Sequence, residues 1–261
     1  MLFFELLKED FMQIPIYIFV TLVGILVGSF LNVVIYRVQR NEEFVKTPSH
    51  CLTCNHKLAW YDNIPLLSWI MLGGKCRYCK VKLSAQYPLI EAFNGLVWLS
   101  VFLINGINAD SIITCLMSSG LLAMSMIDFK TYIIPDGFHI YFGTLAIANL
   151  LLHLQDWLNL LIGIFCVSLF LLAIVLLSKG RAMGGGDVKL MASCGAILGW
   201  QNISLALMIG CIVGSIIHII RMKVSDAGKV LAMGPYLAIG IFIAHLFGNN
   251  IIDWYLSLLI K

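Results

Sequence analysis

The chain has 261 residues, of which 60% are hydrophobic and 12% charged, with a formal net charge of +3. A mean hydropathy of +0.93 excludes an ordinary soluble domain and identifies an integral membrane protein. Apolar stretches of about 17–25 residues, the length a helix needs to cross a bilayer, succeed one another at 14–36, 88–106, 110–128, 137–153, 157–178, 188–200, 203–221 and 232–247. They predict an all-α polytopic fold of about eight transmembrane helices, the sixth of them short.

The first span follows MLFFELLKED and ends in NVVIYR without a small-residue cleavage site, so it reads as a retained helix and not a removable signal peptide. The final apolar stretch, Ile251 to Ile260, is too short to cross and is expected at the interface. Cytoplasmic loops keep an excess of Lys and Arg, which sets the orientation. With the N-terminus outside, the inside segments are 37–87, 129–136, 179–187 and 222–231. Together with Lys189 and Arg221 at adjoining helix ends, they hold fifteen of the seventeen Lys and Arg, all but Lys8 and Lys261. The outside connections GINAD, HLQD and WQN hold none.

Only one polar segment is long enough for a small extramembrane domain, the one between the first two spans. The expected organisation is therefore a first helix over 1–38, a cytoplasmic segment over 39–87 and a membrane bundle over 88–261. The segment carries CLTC at 51–54 and CRYC at 76–79, the layout of a four-thiolate zinc site built from Cys51, Cys54, Cys76 and Cys79. About fifty residues have little core of their own, and a metal supplies folding free energy that burial cannot. Disulfides are the competing reading, disfavoured in a reducing cytosol. His50 and His56 flank the first pair as alternative ligands. Cys115, Cys166, Cys194 and Cys211 lie in apolar spans and read as packing residues. WYDNIPLLSWIMLGGK, over 60–75, is apolar and aromatic but too short to span. It is expected on the membrane surface or against the bundle, with Asp62 as a turn or cap residue.

The third span ends in LLAMSMIDFKTYIIPDGFHIYF, which places Asp128 at its inside end and Pro135–Asp136 at the start of the next, where Asp136 can cap a helix. Asp187 opens the sixth span after Gly184, Gly185 and Gly186. An ionised Asp at membrane depth costs roughly 2.5–3.5 kcal/mol on insertion scales, so such a residue lines a cavity, pairs, or does chemistry. Topology puts Asp128 and Asp187 at one depth, where two carboxylates can share a proton and activate a water for attack on a peptide carbonyl. The glycines permit unusual backbone angles and the close approach of a substrate strand. The bland reading remains open: Asp128 paired with Lys130 or Lys189, Asp187 a helix cap, the glycines a flexible turn.

GSFLNVVIYR at 28–37, NIPLLSW at 63–69 between the cysteine pairs, GGKCRYC leading into YPLIE at 87–91, IDFKTYIIPD at 127–136, MGGGD at 183–187 and MGPYLA at 233–238 follow one another in order. In this the chain resembles the bacterial type IV prepilin peptidases, aspartyl proteases of the G-x-G-D class. The resemblance implies Asp128 and Asp187 as the catalytic pair. It also implies a type IV prepilin or pseudopilin substrate cut after a Gly that ends a short basic leader, at the cytoplasmic face of a bacterial inner membrane. Many members also methylate the new N-terminal amine with S-adenosylmethionine, an activity associated with the N-terminal half. Glu91, an acid inside the second span, is a candidate amine-binding group or else a helix-end charge. The expected partners are the pilin-like substrate and the lipid bilayer, not nucleic acid. Two other readings of the same residues are a proton-coupled transporter with relay carboxylates and a membrane thiol oxidoreductase.

Overall fold

A computed structural model describes residues 2–40, 42, 48–181, 183–224 and 231–259. It is built from α1 (Leu2–Val38), α2 (Leu67–Met71), α3 (Gln86–Asn105), α4 (Ala109–Thr131), α5 (Asp136–Leu152), α6 (Trp157–Leu177), α7 (Gly185–Val224) and α8 (Gly234–Leu259). Among the described residues there is no strand, only two isolated bridges in the cysteine segment. Six helices are long and apolar enough to cross a membrane, and the shorter apolar α5 has 17 residues.

The sixth and seventh expected spans are one helical run of 40 residues, broken only at Gly199 (φ 76°, ψ 172°). That backbone region is essentially closed to residues with a Cβ, so the chain bends there without a loop. The WQN connection is consequently helical: Trp200 resumes the helix, and its amide donates to Asn159 Oδ1 at 3.1 Å. The eight apolar segments are all helical once this break is counted, as arms 185–198 and 200–224. The stretch from Ile251, expected as a separate interfacial piece, continues α8 instead, because Ile251 and Ile252 pack against the hydrophobic core. Residues 41, 43–47 and 225–230, parts of two expected inside segments, lie outside the described residues.

The chain forms two compact units, Met1–Ser111 and Ile112–Lys261. In the first, α1 packs on α3 through small residues. A Cβ at Gly24 would come within 2.9 Å of Trp98, and one at Gly28 within 2.8 Å of the Glu91 backbone. Gly24 and Gly28 form a G-x-x-x-G step, which lets membrane helices approach backbone to backbone where no hydrophobic force separates protein from lipid. In the second unit α7 is central, flanked by α5, α6 and α8, around a core that includes Met117, Met124, Phe142, Leu190, Ile203 and Leu237. Cys115 and Cys194 pack inside this unit as expected, whereas Cys166 and Cys211 face outward.

Candidate active site and metal centre

Asp128 lies in the last turn of α4, and Asp187 in the first turn of α7. Both are buried, at 4% and 8% exposure, and both belong to the second unit. The α4 terminus is set by Tyr132, whose positive φ of 57° turns the chain while its amide donates to the Asp128 carbonyl at 2.8 Å. The chain then runs without regular structure to Pro135, and the buried Ile134 lies under the start of α7: a Cβ at Gly186 would stand 3.2 Å from Ile134 Cβ. This contact ties the segment after Asp128 to the residue before Asp187. Asp128 lies within electrostatic range of Asp187.

Of the two uses expected of the three glycines, the structure does not show the first. None has a positive φ, so unusual backbone angles are not their use. Gly186 packs tightly against Ile134, whereas the space over Gly184 and Gly185 is open, the Asp187 carboxylate standing 4.0 Å from a Cβ at 184. Asp187 is the third residue of its helix and not its cap, in the turn where the helix dipole favours an anion.

Lys189 does not pair with Asp128. Its Nζ lies 2.6 Å from Asp136 Oδ1 in an exposed ion pair, so Asp136, the first residue of α5, is a charge partner and not the expected cap. Asp128 instead accepts a hydrogen bond at Oδ2 from the Gly234 amide, at 2.9 Å. That amide opens α8 and is one of the donors a helix leaves unsatisfied at its start. A Cβ on residue 234 would stand 2.6 Å from the same oxygen, so a larger residue there would push the Asp128 carboxylate aside. MGPYLA stands out in the sequence as an ordered motif, but nothing in it assigns Gly234 a role. The available signal was a glycine followed by proline at the start of an apolar run.

In the first unit the four cysteines come together, their sulfur atoms all within 4.8 Å of one another. The Sγ atoms of Cys51 and Cys79 are 3.8 Å apart, which is about the edge of a tetrahedron of thiolates around a zinc with Zn–S near 2.3 Å. The two pairs are the same turn used twice. Asn55 (φ 54°) and Lys80 (φ 60°) reverse the chain after each pair, donating to the carbonyls of Cys51 at 2.8 Å and Cys76 at 3.1 Å. Each turn is closed by a bridge, His50 to Lys57 and Lys75 to Lys82. Burial pushes the Cys51 thiol up, but the amides of Cys54 and Thr53 and the neighbouring thiols outweigh it and lower it to about 6. At Cys79 the Val81 amide lowers the thiol, but burial and the three neighbouring cysteines prevail and raise it to about 11. Four thiols at this spacing suit a divalent ion that would take them as thiolates. The histidines are engaged elsewhere, His50 at the Pro48 carbonyl and His56 against the Tyr78 ring.

Asp62 lies in a tight turn at 60–63, as expected, and makes no cap hydrogen bond; the Arg77 guanidinium meets it at 2.7 Å and so ties the second cysteine turn to that stretch. The apolar stretch between the pairs leaves Trp60, Leu67, Ile70 and Met71 exposed. Leu66, at a positive φ of 60°, donates its amide to Glu91 Oε2 at 2.8 Å and fastens this stretch to α3.

Residues 22–104 match the bacterial peptidase A24 N-terminal domain, and residues 115–219 match the type IV leader peptidase family. A relative from Stutzerimonas stutzeri, named prepilin leader peptidase/N-methyltransferase, is 34% identical over 264 residues, covering 90% of this chain and 91% of its own. The chain belongs to the type IV leader peptidase family. Relatives of the same name from Aeromonas hydrophila, 33% identical over 91% of this chain and 93% of their own, and from Pseudomonas aeruginosa, 34% identical over 90% and 92%, agree. No solved structure matches. Within this leader peptidase the N-terminal match lies inside the first unit and the peptidase match inside the second.

Proposed function

We propose that the chain is a prepilin leader peptidase and N-methyltransferase, with Asp128 and Asp187 as its proteolytic pair. The observation that carries the reading is that two carboxylates 59 residues apart in sequence are both buried and within electrostatic range of each other. Two carboxylates so placed hold one proton between them. The ionised member draws a proton from a water as it attacks the scissile carbonyl, and the protonated member donates to the departing amine. The Gly234 amide orients Asp128, and the open space over Gly184 and Gly185 admits a substrate strand. The substrate is a prepilin or pseudopilin cut after the Gly that ends a short basic leader. Cleavage takes place at the cytoplasmic face of the bacterial inner membrane, the side to which the Lys and Arg distribution assigns both aspartates.

In the same reading 39–87 is a cytoplasmic segment, its four cysteines hold a structural zinc, and 88–261 is the membrane bundle. A set of four thiolates leaves no open coordination position for substrate. The methyl donor is S-adenosylmethionine. Mass spectrometry of a candidate prepilin coexpressed with this chain tests both activities: the expected mature N-terminus lacks the leader and carries an added methyl group. An unprocessed prepilin, with solute or proton flux through Asp128 in proteoliposomes, would instead establish the transporter. Gly234→Ala is expected to slow leader removal about a hundredfold, since a displacement of about 1 Å at a catalytic group has that cost. Processing kinetics in membranes that hold equal amounts of the two proteins would check it.

A further inference from the structure

Glu91 is a buried carboxylate, at 6% exposure, one and a half turns into α3. Its partners are the Leu66 amide and the Ser29 side chain. A carboxylate has about four acceptor sites, so two donors leave capacity unused. Among the described residues no lysine or arginine forms an ion pair with it. A buried anion without a counter-cation is unfavourable in protein or membrane. Polar side chains recur along the two packed helices that meet at Glu91. Ser29, Asn32 and Tyr36 recur at helical spacing on α1, with Gln39 in the turn that follows it, and Tyr87, Glu91 and Asn94 do so on α3. Asn32 joins the two rows by donating to the Tyr87 carbonyl at 3.1 Å. Yet Asn32 Oδ1, in a residue 3% exposed, and the buried Tyr36 hydroxyl and Gln39 Nε2 have no hydrogen-bond partner. Buried polar groups left unpaired mark a place where a ligand or water completes the set.

The unmet needs here are a cation for Glu91 and donors and acceptors for the column above it. We propose that Glu91 binds the ammonium of the newly cut substrate N-terminus and accepts its proton for methylation. This rests on the methyltransferase reading given above, and it assigns that activity a residue in the unit that the peptidase match does not cover. An α-amine has a pKa near 8 and is mostly protonated at neutral pH, so its lone pair is not free to attack. Glu91 takes one proton, and the amine lone pair then attacks the methyl carbon of the sulfonium donor. The carbon–sulfur bond breaks, its electron pair stays on sulfur as a neutral thioether, and the product is a methylammonium. Glu91 returns its proton to water.

Glu91→Gln tests this, because the amide oxygen still accepts from Leu66 and preserves the tie to α3. With a coexpressed prepilin, the variant is expected to cut the leader within about twofold of the wild-type rate and to methylate about a hundredfold more slowly. A second readout is binding by the purified full chain of a peptide with the substrate's mature N-terminus, free or acetylated. Wild type should prefer the free amine at least about tenfold, with the preference lost in Glu91→Gln, while the donor concentration at half-saturation is unchanged. Wild-type methylation by Glu91→Gln overturns the role of Glu91. So does loss of cleavage together with methylation, which makes it a structural post, or a raised donor half-saturation with amine preference intact. A wild-type chain that cleaves without methylating overturns the underlying reading itself.

Discussion

Asp128→Asn and Asp187→Asn each remove leader cleavage almost entirely, by at least about 10³-fold, while the protein still accumulates in the membrane. Positioned acid–base groups contribute about 10²–10⁴-fold each, and a pair that shares one proton loses its function when either member cannot titrate. Asn is nearly isosteric with Asp, so packing around both positions survives. At 128 its carbonyl oxygen can still accept from the Gly234 amide, which holds the side chain in place without restoring the proton. The double variant should be no slower than either single one, since residues that act as a unit are not additive. Mass spectrometry of the coexpressed prepilin reads all three variants. Processing at the wild-type rate by either single variant would falsify the proteolytic assignment.

Loss of the metal should be the larger effect on stability. Among the described residues between 48 and 83, only Cys51, Gly74 and Cys76 are buried, so this segment has no apolar core. Structural zinc contributes apparent free energies of about 10–16 kcal/mol in isolated zinc-finger peptides near neutral pH, more than the whole stability of a typical domain. In the purified protein about one equivalent of zinc is expected, absent from Cys51→Ser and Cys76→Ser. The segment around 48–83 should then become open to limited proteolysis, while the second unit, with its own core, keeps its helices. A chain that carries no metal, or a segment equally resistant with and without it, would defeat the assignment. Because zinc competes with protons for the thiols, the metal should also be lost progressively as pH falls.

Much of the architecture was legible because its signals are local. Hydropathy over some twenty residues is enough to locate a membrane helix, since the bilayer demands length and apolarity whatever the neighbours. Two C-x-x-C pairs announce a tetrathiolate site because each pair is a self-contained turn, and the offset of twenty-five residues between His50 and Lys75, Cys51 and Cys76, and Asn55 and Lys80 repeats that turn. The cost of Asp128 and Asp187 at membrane depth could likewise be read from their flanks alone.

What the sequence could not determine depends on contacts between distant segments. Lys189 stands two residues from Asp187 and was a candidate partner for Asp128, but only packing of α5 beside α7 brings it to Asp136. The partner of Asp128 is a backbone amide 106 residues away, and amides carry no sequence signature. Gly186 proved to be a point of close approach to Ile134, a distinction from a flexible turn that requires the neighbour's position. Composition and spacing thus determined that this chain has helices of membrane-spanning length and gathers four thiols, and they raised the expectation of two acids at one depth. Tertiary structure alone decided which donor holds Asp128 and that Glu91 meets no lysine or arginine among the described residues, because satisfaction of a buried polar group is a property of everything packed around it.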